Sequence, residues 1–231
     1  MGNIRENIEK VNTIKEKAAE SVGRRSDDVI LCAVTKTRNA EEINEAIKSG
    51  ITDIGENRVQ EIMDKYDFVK PVRWHMIGHL QTNKVKYIID KVSLIHSVDS
   101  FHLAEEIDKR ARQNDKVMDI LIQVNSANEE SKFGITTEET GNLIQDILER
   151  CPNIKIKGLM CIAPFENNSE DAGIYFAEVK RLFDKYSQME RERLDFTILS
   201  MGMSNDYEVA IREGSNLVRV GTAIFGARNL S

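Results

Sequence analysis

Cysteine is scarce in this chain. Cys32, Cys151 and Cys161 form no CxxC pair and leave an odd count. That excludes a disulfide framework or a cysteine-rich zinc site and fits reduced thiols in a cytoplasmic protein. Proline is scarcer in proportion: Pro71, Pro152 and Pro164 all fall in predicted loops or at strand edges, so none interrupts a predicted element. No apolar run approaches the roughly 18 residues of a membrane span. The N-terminus has no signal-peptide pattern, because charges separate its apolar residues. Basic blocks and aromatic-rich basic stripes are also missing. With 32 basic and 38 acidic side chains, for a formal charge of -6, nucleic acid is not an expected partner. A bound anion must therefore be held by local geometry, not by the overall field.

What is present is alternation. Hydrophobic residues make up 41% of 231, enough to bury a substantial core. Ile4, Ile8, Val11, Ala18 and Val22 recur at helical spacing and predict a first helix ending near Gly23. Strands are predicted near 29–35, 51–55, 73–78, 93–98, 118–125, 154–161, 195–200 and 216–220. Runs such as Ile120-Leu121-Ile122-Gln123-Val124 read as strands buried on both faces of a parallel sheet. Helical patterns lie between them: Asn39 with Glu42 has capping-box spacing, and residues 100–114, 136–150 and 169–191 each place apolar side chains mostly on one face. Eight strands alternating with helices predict an α/β fold, a (β/α)8 TIM barrel with an extra N-terminal helix. A doubly wound open sheet is the competing architecture. The barrel uses the whole chain, so residues 1–231 are expected to form one domain, and a monomer is expected.

In such barrels chemistry gathers at the carboxyl ends of the strands. Lys36 stands at the first of them, after Val29-Ile30-Leu31-Cys32-Ala33-Val34. One reading is a solvated charge at a strand terminus. The other is a desolvated amine that condenses with an aldehyde or ketone. The last two strand ends carry Ser200-Met201-Gly202-Met203-Ser204 and Arg219-Val220-Gly221-Thr222. Small and hydroxyl residues there suit a phosphate, with Ser200, Ser204 and Thr222 as hydroxyl donors; ordinary turn chemistry is the alternative. Closure of the barrel puts strand eight beside strand one. A lysine and a phosphate nest in one pocket match the two ends of pyridoxal 5'-phosphate (PLP), its aldehyde and its phosphate. Arg219, preceding the Gly221-Thr222 turn, is placed to donate to the pyridine nitrogen, or else simply pairs with an acid.

The other strand ends are less telling. His75 and His79 are four apart, but on a strand rather than a helix, and no cysteine or carboxylate completes a ligand set; no metal is expected. His75 reads as a hydrogen-bonded interior residue. His79 and Asn83 read as pocket-rim groups, while His96 and His102 show only packing or surface roles. None of the five tyrosines lies at a predicted strand end, and the chain ends at Ser231, just past strand eight.

Several segments carry a resemblance. They are Ala33-Val34-Thr35-Lys36-Thr37, Gly55-Glu56-Asn57, Trp74-His75-Met76-Ile77-Gly78-His79-Leu80-Gln81-Thr82-Asn83-Lys84, Lys132-Phe133-Gly134, Gly158-Leu159-Met160, Ser200–Ser204 and Arg219–Gly226. In this order, over nearly the whole chain, they resemble the pyridoxal phosphate homeostasis proteins, single-domain members of the alanine-racemase-like barrels. That family more often has Ser where Thr35 stands and often Tyr where Arg58 stands. The resemblance implies PLP held as a Schiff base on Lys36. It implies phosphate contacts from Ser200, Ser204, Gly221 and Thr222, Met201 lining that loop, Arg219 near the pyridine nitrogen and Asn57 near the ring. It also implies a non-catalytic, cytoplasmic protein of intracellular PLP homeostasis that releases PLP by imine exchange, with amino acids or apo-PLP enzymes as further partners. The alternative is a PLP-dependent amino-acid racemase or decarboxylase, which needs a second acid/base on the opposite face of the substrate.

Overall fold

Eight apolar segments become strands: β1 (Ile30–Val34), β2 (Asp53–Glu56), β3 (Arg73–Met76), β4 (Leu94–Val98), β5 (Met118–Val124), β6 (Ile154–Cys161), β7 (Leu194–Ser200) and β8 (Leu217–Val220). All eight fall within two residues of their expected bounds. A computed structural model describes residues 3–127, 129, 133–164 and 168–227; Lys132 of the Lys132-Phe133-Gly134 segment lies outside the described residues. The strands pair in chain order, all parallel, and β1 pairs with β8 to close a barrel. An open doubly wound sheet is thereby excluded.

Parallel pairing keeps side chains of one parity on one face. In register, Cys32 is level with Asp53 and Arg219, Gly55 with His75, and His75 with Leu94. These face the lumen. Cys32, Leu94, Leu121, Met160 and Leu217 form their own buried cluster there. Residues of the other parity, such as Ile54, Trp74 and Ile95, face the helices and join the larger core.

The helices are α1 (Ile4–Glu20), α2 (Ala40–Lys48), α3 (Val59–Lys65), α4 (Phe101–Gln113), α5 (Thr140–Arg150), α6 (Gly173–Ser187), α7 (Tyr207–Arg212) and α8 (Thr222–Phe225). Asn39 and Glu42 form the expected capping box on α2, each side chain bonding the other residue's amide. Helix α1 is the extra N-terminal helix. It buries Ile4, Ile8, Val11 and Ala18 and packs on α7, α8 and α2. It stops at Glu20, so Val22 falls beyond the helix and is exposed. Helix α6 starts late, after a 3-10 turn at Ser169–Ala172, and Ile174 points to solvent. After β3 the connection is a 3-10 helix, Thr82–Tyr87, in place of an α-helix. Among the described residues no helix is long and apolar enough to cross a membrane.

Candidate functional site

Lys36 hangs from a clamped turn. The Arg38 amide donates to the Thr35 carbonyl, and Thr37 sits at φ 65°. A β-branched residue in the left-handed region is strained and persists only where surroundings over-determine it. They do so here from outside the barrel. The Thr37 amide donates to Glu61 at 2.7 Å, and Lys65 donates to Glu61, Glu56 and the Thr35 carbonyl. The Thr35 hydroxyl adds a bond to Glu56 at 2.7 Å. Glu56 is fully buried at the end of β2. Its burial pushes its carboxyl above the usual range, and Lys65 and Thr35 oppose that only in part.

Asn57 follows β2 and is set by a close approach. A Cβ at Gly78 would lie 2.3 Å from the Asn57 carbonyl oxygen. Only glycine fits there, so the end of β3 presses Asn57 toward the mouth. On the other side, Gly202 turns the chain after β7 at φ 91°, where a Cβ would strike Ala210 and Tyr207. The next residues fold back so that the Gly221 amide donates to Ser204 Oγ at 3.1 Å. This joins the β7 and β8 loops directly. Gly221 also packs against β1, so closely that a Cβ on it would lie 3.2 Å from the Cβ of Val34. The amides of Thr222 and Ala223 open α8 and have no acceptor within that helix.

These groups surround a cavity of about 750 Å3 at the carboxyl ends of the strands. Lys36, Asn57, Ser204, Arg219, Gly221 and Thr222 are in its wall, with Val34, Ile77 and Ile162 supplying apolar surface. The amine of the first strand end and the hydroxyl and glycine groups of the last two thus share one space. Its donors dominate: two cations and several hydroxyls and amides, with Asp206 the acid among the described lining residues. Burial pushes the Asp206 carboxyl upward, against the Met203 amide and Arg219.

Arg219 is buried inside the barrel. Its guanidinium donates to the Ser200 carbonyl and hydroxyl and to the Cys161 carbonyl. Burial lowers its pKa, partly offset by Cys161, Cys32 and Asp206, but a guanidinium remains charged.

Two expected residues are not in the cavity wall. Ser200 is fully buried on the lumen side of β7, and its hydroxyl bonds Arg219 and His96. Its hydroxyl oxygen is thus engaged within the barrel, outside the cavity wall. Met201 is also fully buried, and its amide donates to the Leu217 carbonyl.

Sequence reasoning missed His96. Expected only to pack, it is fully buried and bonds His75 at 2.9 Å and Ser200 at 3.0 Å. A lone histidine on an apolar strand carries no signal of a partner 104 positions away. Lys65 was also missed, although Glu61 and Lys65 have the i,i+4 spacing of a helix pair. His75 is the hydrogen-bonded interior residue expected, bound to Asp53 at 3.1 Å. His79 and Arg58 line a neighbouring cavity of about 480 Å3 that shares Asn57.

The alanine racemase N-terminal domain pattern matches residues 2–229. A pyridoxal phosphate homeostasis protein of Aquifex aeolicus is 46% identical over 216 residues, covering 92% of this chain and 93% of its own. One from Helicobacter pylori is 38% identical over 224 residues, covering 96% and 97%. Among solved structures, PipY of Synechococcus elongatus with PLP bound superposes with a TM-score of 0.77 at 33% identity, covering 92% of this chain and 100% of PipY. An alanine racemase of Clostridium difficile, 16% identical with a TM-score of 0.72, shares the fold; it covers 99% of this chain, and the match spans 58% of the racemase. A lysine on the first strand, a joined pair of loops after the last two, and likeness along nearly the whole length together mean that the chain belongs to the pyridoxal phosphate homeostasis protein family, on the alanine racemase N-terminal barrel.

Proposed function

We propose that this chain, as one domain, binds PLP in the strand-end cavity and serves intracellular PLP homeostasis in the cytoplasm. The observation that carries the reading is the shared cavity of Lys36, Arg219 and the Ser204–Gly221–Thr222 cluster. Its donor set fits the cofactor: an amine for an aldehyde, hydroxyls and amides for a phosphate, and a guanidinium for a ring nitrogen. When bound, PLP supplies an aldehyde that condenses with an amine and can be passed to another amine. Lys36 is the residue that bonds it. Ser204, Gly221 and Thr222 hold its phosphate, Asn57 borders the ring, and Arg219 donates to the pyridine nitrogen. Val34, Ile77 and Ile162 exclude water from one side.

The reading is of a carrier, not an amino-acid racemase or decarboxylase. A racemase needs two acid/base groups flanking the substrate carbon. Apart from Lys36, the described ionisable wall residues are Asp206 and Arg219, with no tyrosine or histidine among them. A guanidinium at the ring nitrogen keeps that nitrogen unprotonated and weakens electron withdrawal from a substrate.

Borohydride reduction of the PLP-loaded protein, with peptide mapping, tests this. The adduct is expected on Lys36, and the visible absorption band is expected to be lost in Lys36→Ala. The same loaded protein should exchange no α-proton of D- or L-amino acids with solvent. An adduct on another lysine refutes the site, and rapid exchange refutes the carrier role.

A further inference from the structure

The barrel lumen holds a continuous line of hydrogen bonds. It begins at the foot of β3, where Arg73 grips both oxygens of Asp53 on β2. Asp53 Oδ1 bonds His75 Nε2 at 3.1 Å, His75 Nδ1 bonds His96 Nε2 at 2.9 Å, and His96 Nδ1 bonds Ser200 Oγ at 3.0 Å. Ser200 Oγ receives the Arg219 guanidinium. Strands β4 and β7 are not neighbours in the sheet, so the His96–Ser200 bond crosses the lumen. All five residues from Asp53 to Arg219 are at least 97% buried.

With both imidazoles neutral, donor and acceptor arithmetic gives this line a single direction. Its two ends are one-sided: ionised Asp53 only accepts, and Arg219 only donates. His75 must therefore present Nε2–H to Asp53. If neutral, it offers Nδ1 as an acceptor, which calls for Nε2–H on His96. His96 then offers Nδ1 to the Ser200 hydroxyl proton, and the Ser200 lone pairs are left facing Arg219. Every polar atom of the line is satisfied with both imidazoles neutral and no donor opposing a donor. An imidazolium at His96 would put donors on both its nitrogens, with cationic Arg219 just beyond Ser200. Its burial, and the cationic Arg219 just beyond Ser200, depress its pKa well below the ordinary value. The thiols nearest the line, Cys32 and Cys161, are held protonated by burial.

We propose that Asp53, His75, His96 and Ser200 form a one-way relay whose direction is set by the Asp53 carboxylate and whose terminal oxygen orients Arg219 toward the cofactor ring. Ser200 is thereby a positioning residue for Arg219, not a ligand of the phosphate. His75, His96 and Asp53 act through it. The inference rests on the proposed PLP reading only for what Arg219 addresses; the relay itself is a property of the protein without cofactor.

The test is a two-bond 1H–15N correlation spectrum of the histidine side chains in the 15N-labelled full chain, without added PLP. The four histidines divide cleanly, since His79 and His102 are exposed and His75 and His96 are buried. His75 and His96 are expected as neutral Nε2–H tautomers, with His96 unchanged across the histidine range, about pH 5 to 8. An Nδ1–H tautomer or an imidazolium at His96 in the wild type overturns the relay. In Ser200→Ala the His96 Nδ1 resonance should shift as it loses the hydroxyl, while the tautomer stays. In His75→Phe the His96 proton should move to Nδ1 and point at Ser200. Should the larger change prevent folding, the Ser200→Ala spectrum decides alone, and an unmoved His96 Nδ1 overturns the proposal. Ser200→Ala should also weaken PLP retention about tenfold, the size of one lost hydrogen bond to a charged group. Unchanged retention overturns the positioning role of Ser200. An adduct found away from Lys36, with the tautomers as expected, would remove the PLP reading and leave the relay standing.

Discussion

At the scale of single residues, the interior of this barrel carries ionisable groups beside its apolar ones, and hydrogen bonds set their charge states. Asp53 shows how. Burial works against its ionised form, but bonds from His75, Arg73 and Thr52 outweigh that and hold its carboxyl well below the usual range. A carboxyl with a lowered folded pKa contributes stability that is complete above its unfolded pKa, about 3.9, and is lost as pH falls through the folded value. Urea midpoints should therefore drop steeply below about pH 4. Asp53→Asn should lose roughly 2 to 3 kcal/mol at neutral pH and should flatten that acid slope. A slope as steep in Asp53→Asn as in the wild type would assign acid sensitivity to other carboxyls. Residue reasoning from sequence reached Lys36, Asn57, Ser204, Arg219, Gly221 and Thr222 because each stands at a strand end, where position alone implies proximity. It could not separate Ser200 from Ser204. Both are serines in one segment, and the turn at Gly202 beyond the end of β7 is what leaves one in the lumen and carries the other to the mouth.

At the scale of elements, the strands were legible because burial on both faces leaves an uninterrupted apolar run. Helix ends were less so. The segment after β3 contains Gln81-Thr82-Asn83-Lys84 and settles for 3-10 geometry, a choice that periodicity over six residues cannot register. Helix α1 illustrates the opposite case, since its heptad-like spacing announced it plainly. What spacing did not announce is its partner. Ile8 is buried against the core, and Asn7 donates to the Ile224 carbonyl at the end of α8. Helix α1 thus braces the short helix that begins at Thr222. Ile8→Ala should cost about 3 kcal/mol by cavity formation and should also loosen PLP retention, measured by dialysis of loaded protein. Asn7→Ala should affect retention more than stability. Equal retention in both variants would show that α1 is packing alone.

At the scale of the whole molecule, closure is the property that creates the site, because only closure brings β8 beside β1. A linear reading can count eight strands, yet the ring is what turns positions 36 and 221 into neighbours. Packing of the barrel and its helices also seals the thiols. Cys32, Cys151 and Cys161 are all buried. Burial pushes Cys151 up to about 11 and Cys161 up to about 12, so the reactive thiolate is nearly absent at neutral pH. Native protein should give almost no reaction with Ellman's reagent, and all three thiols should react after denaturation. Fast labelling of any one in the native state would mean that the barrel opens locally on the timescale of the reagent.

The fastening behind Thr37 has a mechanical corollary. A lysine on a loose loop could follow a departing aldehyde outward by bending the main chain. Here Lys65 and Glu61 pin that chain from the far side, leaving only the rotations of four methylene carbons. On the proposed PLP reading, an incoming nucleophile must then come all the way to the strand-end cavity, so handover should be gated by access to the mouth rather than by movement of the anchor.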